Sequence, residues 1–265
     1  MNKFINQKKR LLLASLAIIT LLSSFIILKD KRPTFFIIGD STVKNGKGKG
    51  DGGLWGWGDF IAPYFDTTKI NIENHALGGT SSRTFQTKGL WEKVLDNIKK
   101  GDFVIMQFGH NDGSPLDDTA RARGTIPGTG DESKEIFNPI TRQKEVVHSY
   151  GWYMRKYVDE VLVKGGIPII CSPIPRNNWK DGKVVRSTSG YAKWAAEVAK
   201  SEGAYFVDLN NLVAAKYEEL GADKVKTFFP GDHTHTSMEG AKLNAGIIVE
   251  SLKANGPKEL KKYFK

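Results

Sequence analysis

Apolar residues along this chain fall into short runs closed by turn residues, with helix-spaced stripes between them. Thr34–Ile38 ends at Gly39, Ile70–Glu73 follows, Asp102–Phe108 is closed by Gly109, Ile167–Cys171 by Ser172-Pro173, and Ala204–Val207 comes last. Runs of this length, apolar on both faces, predict strands buried on both sides of a sheet. Between them Leu90, Trp91, Val94, Leu95 and Ile98 share one helical face, as do Tyr191, Trp194, Ala195 and Val198, and Ser237 to Leu252 reads as a final helix. Strands alternating with helices predict a parallel sheet covered by helices on both faces. In such a sheet, sites form beyond the carboxyl ends of the strands.

Three segments fit neither period. Lys44–Gly53 is rich in Gly and Lys, Ser114–Ser133 is polar with Pro115 and Pro127, and Arg176–Ser189 carries Trp179. Irregular segments of this length in a compact domain predict functional loops. No internal repeat and no second domain is visible, so residues 33–265 are expected to form one domain after a separate segment, 1–32.

That first segment changes the charge reading. Lys3, Lys8, Lys9 and Arg10 precede the apolar run Leu11–Leu28, the pattern of an export signal, either cleaved or kept as a membrane anchor. Of the net +10, residues 1–32 hold +6, leaving +4 for the domain. A mildly basic domain excludes a nucleic-acid footprint and is compatible with an acidic substrate. The lone Cys171 lies in an apolar run, where a thiol behaves as a small buried hydrophobe.

Candidate chemistry sits at the strand ends. Gly39-Asp40-Ser41-Thr42 follows the first run and offers Ser41 as a nucleophile where a strand is expected to turn into a helix. A serine hydroxyl needs a base to take its proton. Asp232-His233-Thr234-His235 supplies one. Asp232 can hold one ring nitrogen of His235 and leave the other for the serine proton. Ala76-Leu77-Gly78-Gly79 follows the second run and Gly109-His110-Asn111-Asp112 the third. The Ser41 N–H, the Gly79 N–H and the Asn111 amide together make an oxyanion hole for acyl transfer, Gly78 being the alternative glycine. His233 and His235 are also spaced like metal ligands, but no matching cluster stands elsewhere, so no metal or cofactor is expected.

With these motifs in order, the chain resembles an SGNH/GDSL hydrolase across residues 33–255. Gly39-Asp40-Ser41-Thr42-Val43, Gly56-Trp57-Gly58, Phe108-Gly109-His110-Asn111-Asp112 and Pro175-Arg176-Asn177 make it similar to the rhamnogalacturonan acetylesterase branch. The resemblance implies a three-layer α/β/α sandwich with a flavodoxin-like five-stranded parallel sheet. It also implies a Ser41–His235–Asp232 triad with Gly79 and Asn111 in the oxyanion hole, and release of acetyl groups from pectic polysaccharide by an exported monomer. Trp57, Trp179, His110 and His233, with Trp55 beside them, are expected to meet the sugar. Arg83, Arg121, Arg123 and Arg176 are expected to pair with uronate carboxylates. Acetylated xylan, a lipid ester, and a silent carbohydrate-binding protein on the same fold are the competing readings.

Overall fold

The computed structural model describes residues 32–265, so the segment 1–31, and with it the expected export signal or anchor, lies outside the described residues. The sheet has five parallel strands. They are β1 (Thr34–Gly39), β2 (Asn71–Asn74), β3 (Phe103–Gln107), β6 (Ile167–Cys171) and β9 (Tyr205–Val207), in the order β2-β1-β3-β6-β9. All five fall on strand candidates of the sequence, and the order is that of a flavodoxin-like sheet; the edge strands β2 and β9, unlike the central three, are only partly buried, since each is paired and covered on fewer sides.

The alternation within β1 shows how the layers form. Phe35 and Ile37 enter one core, Phe36 and Ile38 the other, and all four are buried. The first core is closed by α5 (Leu209–Leu220) through Leu209, Val213 and Tyr217, by the short α6 (Ala222–Lys226) through Val225, and by α7 (Met238–Asn255) through Ala245, Ile248, Val249 and Leu252. The second is closed by α2 (Leu90–Leu95), α3 (Tyr150–Val163) and α4 (Tyr191–Ser201), with Trp91, Tyr157, Val161 and Val198 turned inward. Each fully buried Phe, Ile or Leu contributes about 1.5–3 kcal/mol, so both faces must be covered for the sheet to stand. Cys171 lies within the first core, where burial pushes its thiol pKa up.

Three features depart from the sequence reading. Residues after the second long loop form a hairpin, β4 (Ser133–Asn138) with β5 (Gln143–His148). Most of its side chains are exposed, so it has no apolar run to announce it. After β1 the chain enters a turn closed by the N–H groups of Val43 and Lys44 on the Asp40 carbonyl, at 3.1 Å each, and not a helix. Segment 176–189 carries a two-residue-per-strand hairpin, β7 (Trp179–Lys180) with β8 (Lys183–Val184).

The turn after β1 is held by backbone packed on backbone. The N–H groups of Trp57 and Gly58 donate to the carbonyls of Thr42 and Val43 at 3.1 and 2.9 Å. Gly56 makes this approach feasible: a Cβ there would lie 2.1 Å from the Val43 carbonyl carbon. Backbone cannot yield as a flexible side chain does. Gly56→Ala is therefore expected to cost about 3 kcal/mol or more, lowering Tm by roughly 6–12 °C for a domain of this size. Thermal denaturation checks this, and an unchanged Tm contradicts the packing.

Candidate active site

Ser41 stands in the turn after β1, at the carboxyl edge of the sheet, and its Oγ lies 2.8 Å from His235 Nε2. On the far side of the ring, His235 Nδ1 lies 2.6 Å from Asp232 Oδ2. The other Asp232 oxygen accepts the backbone N–H groups of Thr234 and His235, at 2.6 and 2.7 Å. Burial works against the Asp232 charge, but the bonds from the His235 ring and from these two N–H groups outweigh it and hold the carboxyl at about 2. An ionised carboxylate only accepts, so Nδ1 carries the proton and Nε2 is left to accept from the serine hydroxyl.

The loop carrying Asp232 and His235 is fixed at several points. Ser237 caps α7 by accepting the Gly240 N–H, and its own N–H donates to the Phe228 carbonyl at 2.7 Å. Thr236 and Trp55 pair as an antiparallel bridge, with Trp55 N–H on the Thr236 carbonyl at 2.8 Å. The Asn177 N–H donates to the His233 carbonyl at 2.8 Å. Trp55 thus acts through its backbone, while its ring lies against Phe60.

Beneath Ser41 runs a buried polar chain. The Trp57 indole N–H donates to Gln107 Oε1 at 3.0 Å, Gln107 Nε2 donates to Thr42 Oγ1 at 2.5 Å, and Thr42 donates to Asp40 Oδ1 at 2.7 Å. Asp40 Oδ1 also accepts the Thr42 N–H. Trp57 is completely buried, so the expectation that it meets substrate is corrected: its ring fills the first core and its N–H anchors the turn.

Ser41 opens onto a cavity of about 540 Å³ whose walls include Gly78, Gly79, Asn111, Lys88, Arg121, Arg123 and His235. Gly79 has φ +80°, a left-handed conformation suited to glycine. Asn111 is buried, and its side-chain amide donates one N–H to the Thr80 carbonyl at 2.8 Å, which leaves the other free to point elsewhere. Among the described residues the backbone N–H groups of Ser41, Gly78 and Gly79 have no acceptor. A larger cavity of about 920 Å³ lies between α5 and α7 and contains none of these groups.

The other expected substrate contacts fare differently. Arg83 is completely buried on α1 (Ser82–Thr87) and forms a two-pronged pair with Glu145, at 2.7 Å for both Nε and Nη2. Its Nη1 donates to the carbonyls of Leu116 and Gly124 at 2.8 Å. Arg83 is thus a strut under the 114–126 loop, and the expected uronate contact is corrected. Trp179 packs half-buried against the first core and donates its indole N–H to Asn177 Oδ1. It lines neither cavity near Ser41, so the structure does not bring its ring to the serine. His233 is exposed and its Nε2 accepts from Arg176 at 3.0 Å. His110 and Arg176 line a neighbouring cavity of about 460 Å³. Burial pulls the His110 pKa below its ordinary value, and its Nε2 has no partner among the described residues.

Sequence reasoning passed over Asp112. It is fully buried, and its Oδ1 accepts the Ser82 N–H and hydroxyl at 3.0 and 2.5 Å. Its Oδ2 has no close hydrogen-bond partner among the described residues, although the Gly109 N–H favours its charge. Burial, offset in part by the Ser82 bonds and reinforced by Asp40, pushes its pKa up to about 7.

Residues 35–247 match the sequence profile described as GDSL-like Lipase/Acylhydrolase. The chain belongs to that family. It is 33% identical over 224 residues to a rhamnogalacturonan acetylesterase of Emericella nidulans, covering 84% of this chain and 86% of that one. It is 28% identical to a probable rhamnogalacturonan acetylesterase, YesY, of Bacillus subtilis, covering 83% and 93%. Among solved structures, the YxiM protein of Bacillus subtilis superposes with a TM-score of 0.68 at 25% identity, over 86% of this chain and 58% of that longer one. An acetylxylan esterase of Geobacillus stearothermophilus shares the fold, with a TM-score of 0.56 at 16% identity over 83% and 94% of the two chains. As a GDSL family member the chain is a carboxylic ester hydrolase.

Asp112 yields a pH-dependent prediction. Unfolded, it ionises in the ordinary carboxylate range; folded, it keeps its proton up to about 7. Folded stability is therefore lost as pH rises from about 4 to about 7. Asp112→Asn removes that titration and keeps an acceptor for Ser82. Its Tm relative to the parent protein is expected to climb between pH 5 and pH 8, and a pH-independent difference contradicts the assignment.

Proposed function

We propose that this chain is an exported esterase that removes acetyl groups from pectic rhamnogalacturonan by acyl transfer through Ser41. The hydrogen-bonded chain from Asp232 through His235 to Ser41 is the observation that carries this reading. His235 takes the Ser41 proton as Oγ attacks the ester carbonyl, and Asp232, ionised throughout, stabilises the imidazolium that forms. The oxyanion is received by the N–H groups of Ser41 and Gly79 and by the second N–H of Asn111. His235 then gives its proton to the departing sugar hydroxyl. A water, deprotonated by the same imidazole, releases acetate and restores the serine. No cofactor enters these steps.

Three observations support the choice of substrate. The relatives that match most of the chain's length are named for rhamnogalacturonan deacetylation. Among the described residues no Ala, Val, Leu, Ile, Met, Phe, Tyr or Trp side chain lines the cavity at Ser41, so it has room for a short acyl group and no apolar bed for a long one. The basic residues followed by an apolar run at the amino end match an export signal. No helix among the described residues is long and apolar enough to cross a membrane.

The test is acetate release by residues 33–265 from acetylated pectin and from acetylated xylan. Ser41→Ala is expected to abolish release with Tm unchanged, and Asp232→Asn to lower kcat/KM by roughly 10³–10⁴-fold. Release from xylan alone replaces the substrate and keeps the chemistry. Undiminished release by Ser41→Ala overturns the mechanism.

A further inference from the structure

The cavity at Ser41 has a charge pattern that ester cleavage does not require. Lys88, Arg121 and Arg123 stand on its wall, and among the described residues no Asp or Glu does. Arg83, Arg155 and Arg186 are each matched to a carboxylate, Glu145, Asp131 and Glu218. Arg121 and Arg123 have no such partner among the described residues. Their Nη1 atoms nevertheless converge, lying 3.3 and 3.9 Å from the point where a side chain on Gly79 would begin. Arg123 is half-buried, and burial together with the Arg121 charge pulls its pKa down. The more distant charges of Asp118, Asp40 and Asp112 offset part of this; two like charges held together, one partly out of water, still gain from an anion that joins both.

The chain holds them there by construction. Asp118 spends its carboxylate on backbone N–H groups, those of Ala120, Arg121 and Ala122 at 2.8 to 3.0 Å. Ala122, between the two arginines, sits at φ 44°, a strained conformation for a residue with a side chain. Gly124 packs so closely that a Cβ would lie 1.8 Å from the Ser114 carbonyl oxygen. Arg83 ties both limbs of the loop through Leu116 and Gly124. Arg123 bonds Ser114 Oγ at 3.1 Å and the Gly79 carbonyl at 3.3 Å. Strain of this kind persists only where surrounding contacts enforce it.

We propose that Arg121 and Arg123 form a carboxylate subsite that selects esters on acidic, uronate-bearing glycans over esters on neutral ones. This rests on the deacetylase reading and adds its specificity determinant. A carboxylate on a sugar next to the acetylated one bridges the two guanidiniums and sets the ester carbonyl against Gly79 and Ser41. Lys88 adds charge without a fixed fork.

The experiment compares kcat/KM on acetylated galacturonate-containing oligosaccharides with kcat/KM on neutral acetylated xylo-oligosaccharides. The proteins are the parent, Arg121→Gln, Arg123→Lys and the double Arg121→Gln/Arg123→Gln variant. Arg121 is exposed and its side chain makes no hydrogen bond among the described residues, so its replacement threatens folding least. The acidic-to-neutral ratio is expected to fall about tenfold in Arg121→Gln and further in the double variant, and to fall in the parent as salt is raised. A ratio that stays constant while both rates drop overturns the subsite and leaves the arginines as supports for Gly79. In parallel, binding of the acidic oligosaccharide to Ser41→Ala is measured by calorimetry with and without Arg121→Gln. If the parent cleaves no ester at all, the deacetylase reading fails. The calorimetry then decides the subsite: binding weakened about tenfold sustains it, and binding indifferent to Arg121 overturns it.

Discussion

One hydrogen bond, from Ser41 Oγ to His235 Nε2, joins segments 194 residues apart in the chain. Both segments are loops, and loops do not hold a 2.8 Å contact by themselves. The serine end is fixed by β1, by the backbone packing of residues 56–58 on 42–44, and by the Trp57–Gln107–Thr42–Asp40 chain beneath it. The histidine end is fixed by the Ser237 cap, the Trp55–Thr236 bridge and three bonds onto Asp232. The parallel sheet places both ends at its carboxyl edge, where loops from separate strands meet.

Positioning on this scale relies on buried polar groups. Asp40 and Asp112 are both fully buried within one residue of Ser41 or Asn111, and each leaves one oxygen without a hydrogen-bond partner among the described residues. Such groups lower stability, as the raised Asp112 pKa indicates. They also give Ser82 and Thr42 fixed acceptors, so the two loops are held by directional bonds as well as by packing. The cores on either face of the sheet supply the stability that offsets this.

The central strands were legible because a strand covered on both faces must be apolar throughout, as Phe35–Ile38 and Phe103–Met106 are. The hairpin 133–148 was not, since Lys134, Glu135, Gln143 and Lys144 face water and carry no burial signal. The motif residues were legible because acyl transfer requires particular groups at particular strand ends. The surrounding residues were not. Whether an arginine is a strut or a ligand depends on partners far away in sequence: Arg83 meets Glu145 across 62 residues, whereas Arg121 pairs with no carboxylate among the described residues. Trp57 was misread for a related reason, because an indole on a glycine-flanked turn suits a sugar platform as well as a core, and only Gln107 decides between them.

The central claim is that Ser41 carries the acyl group, and rapid quenching tests it most directly. Protein mixed with an activated acetate ester is stopped in acid within the first turnover, digested and examined by mass spectrometry. The account predicts one acetyl group per chain, on the peptide containing Ser41 and absent from Ser41→Ala. Steady hydrolysis with no acetyl group on that peptide, or with the label on another residue, would contradict it.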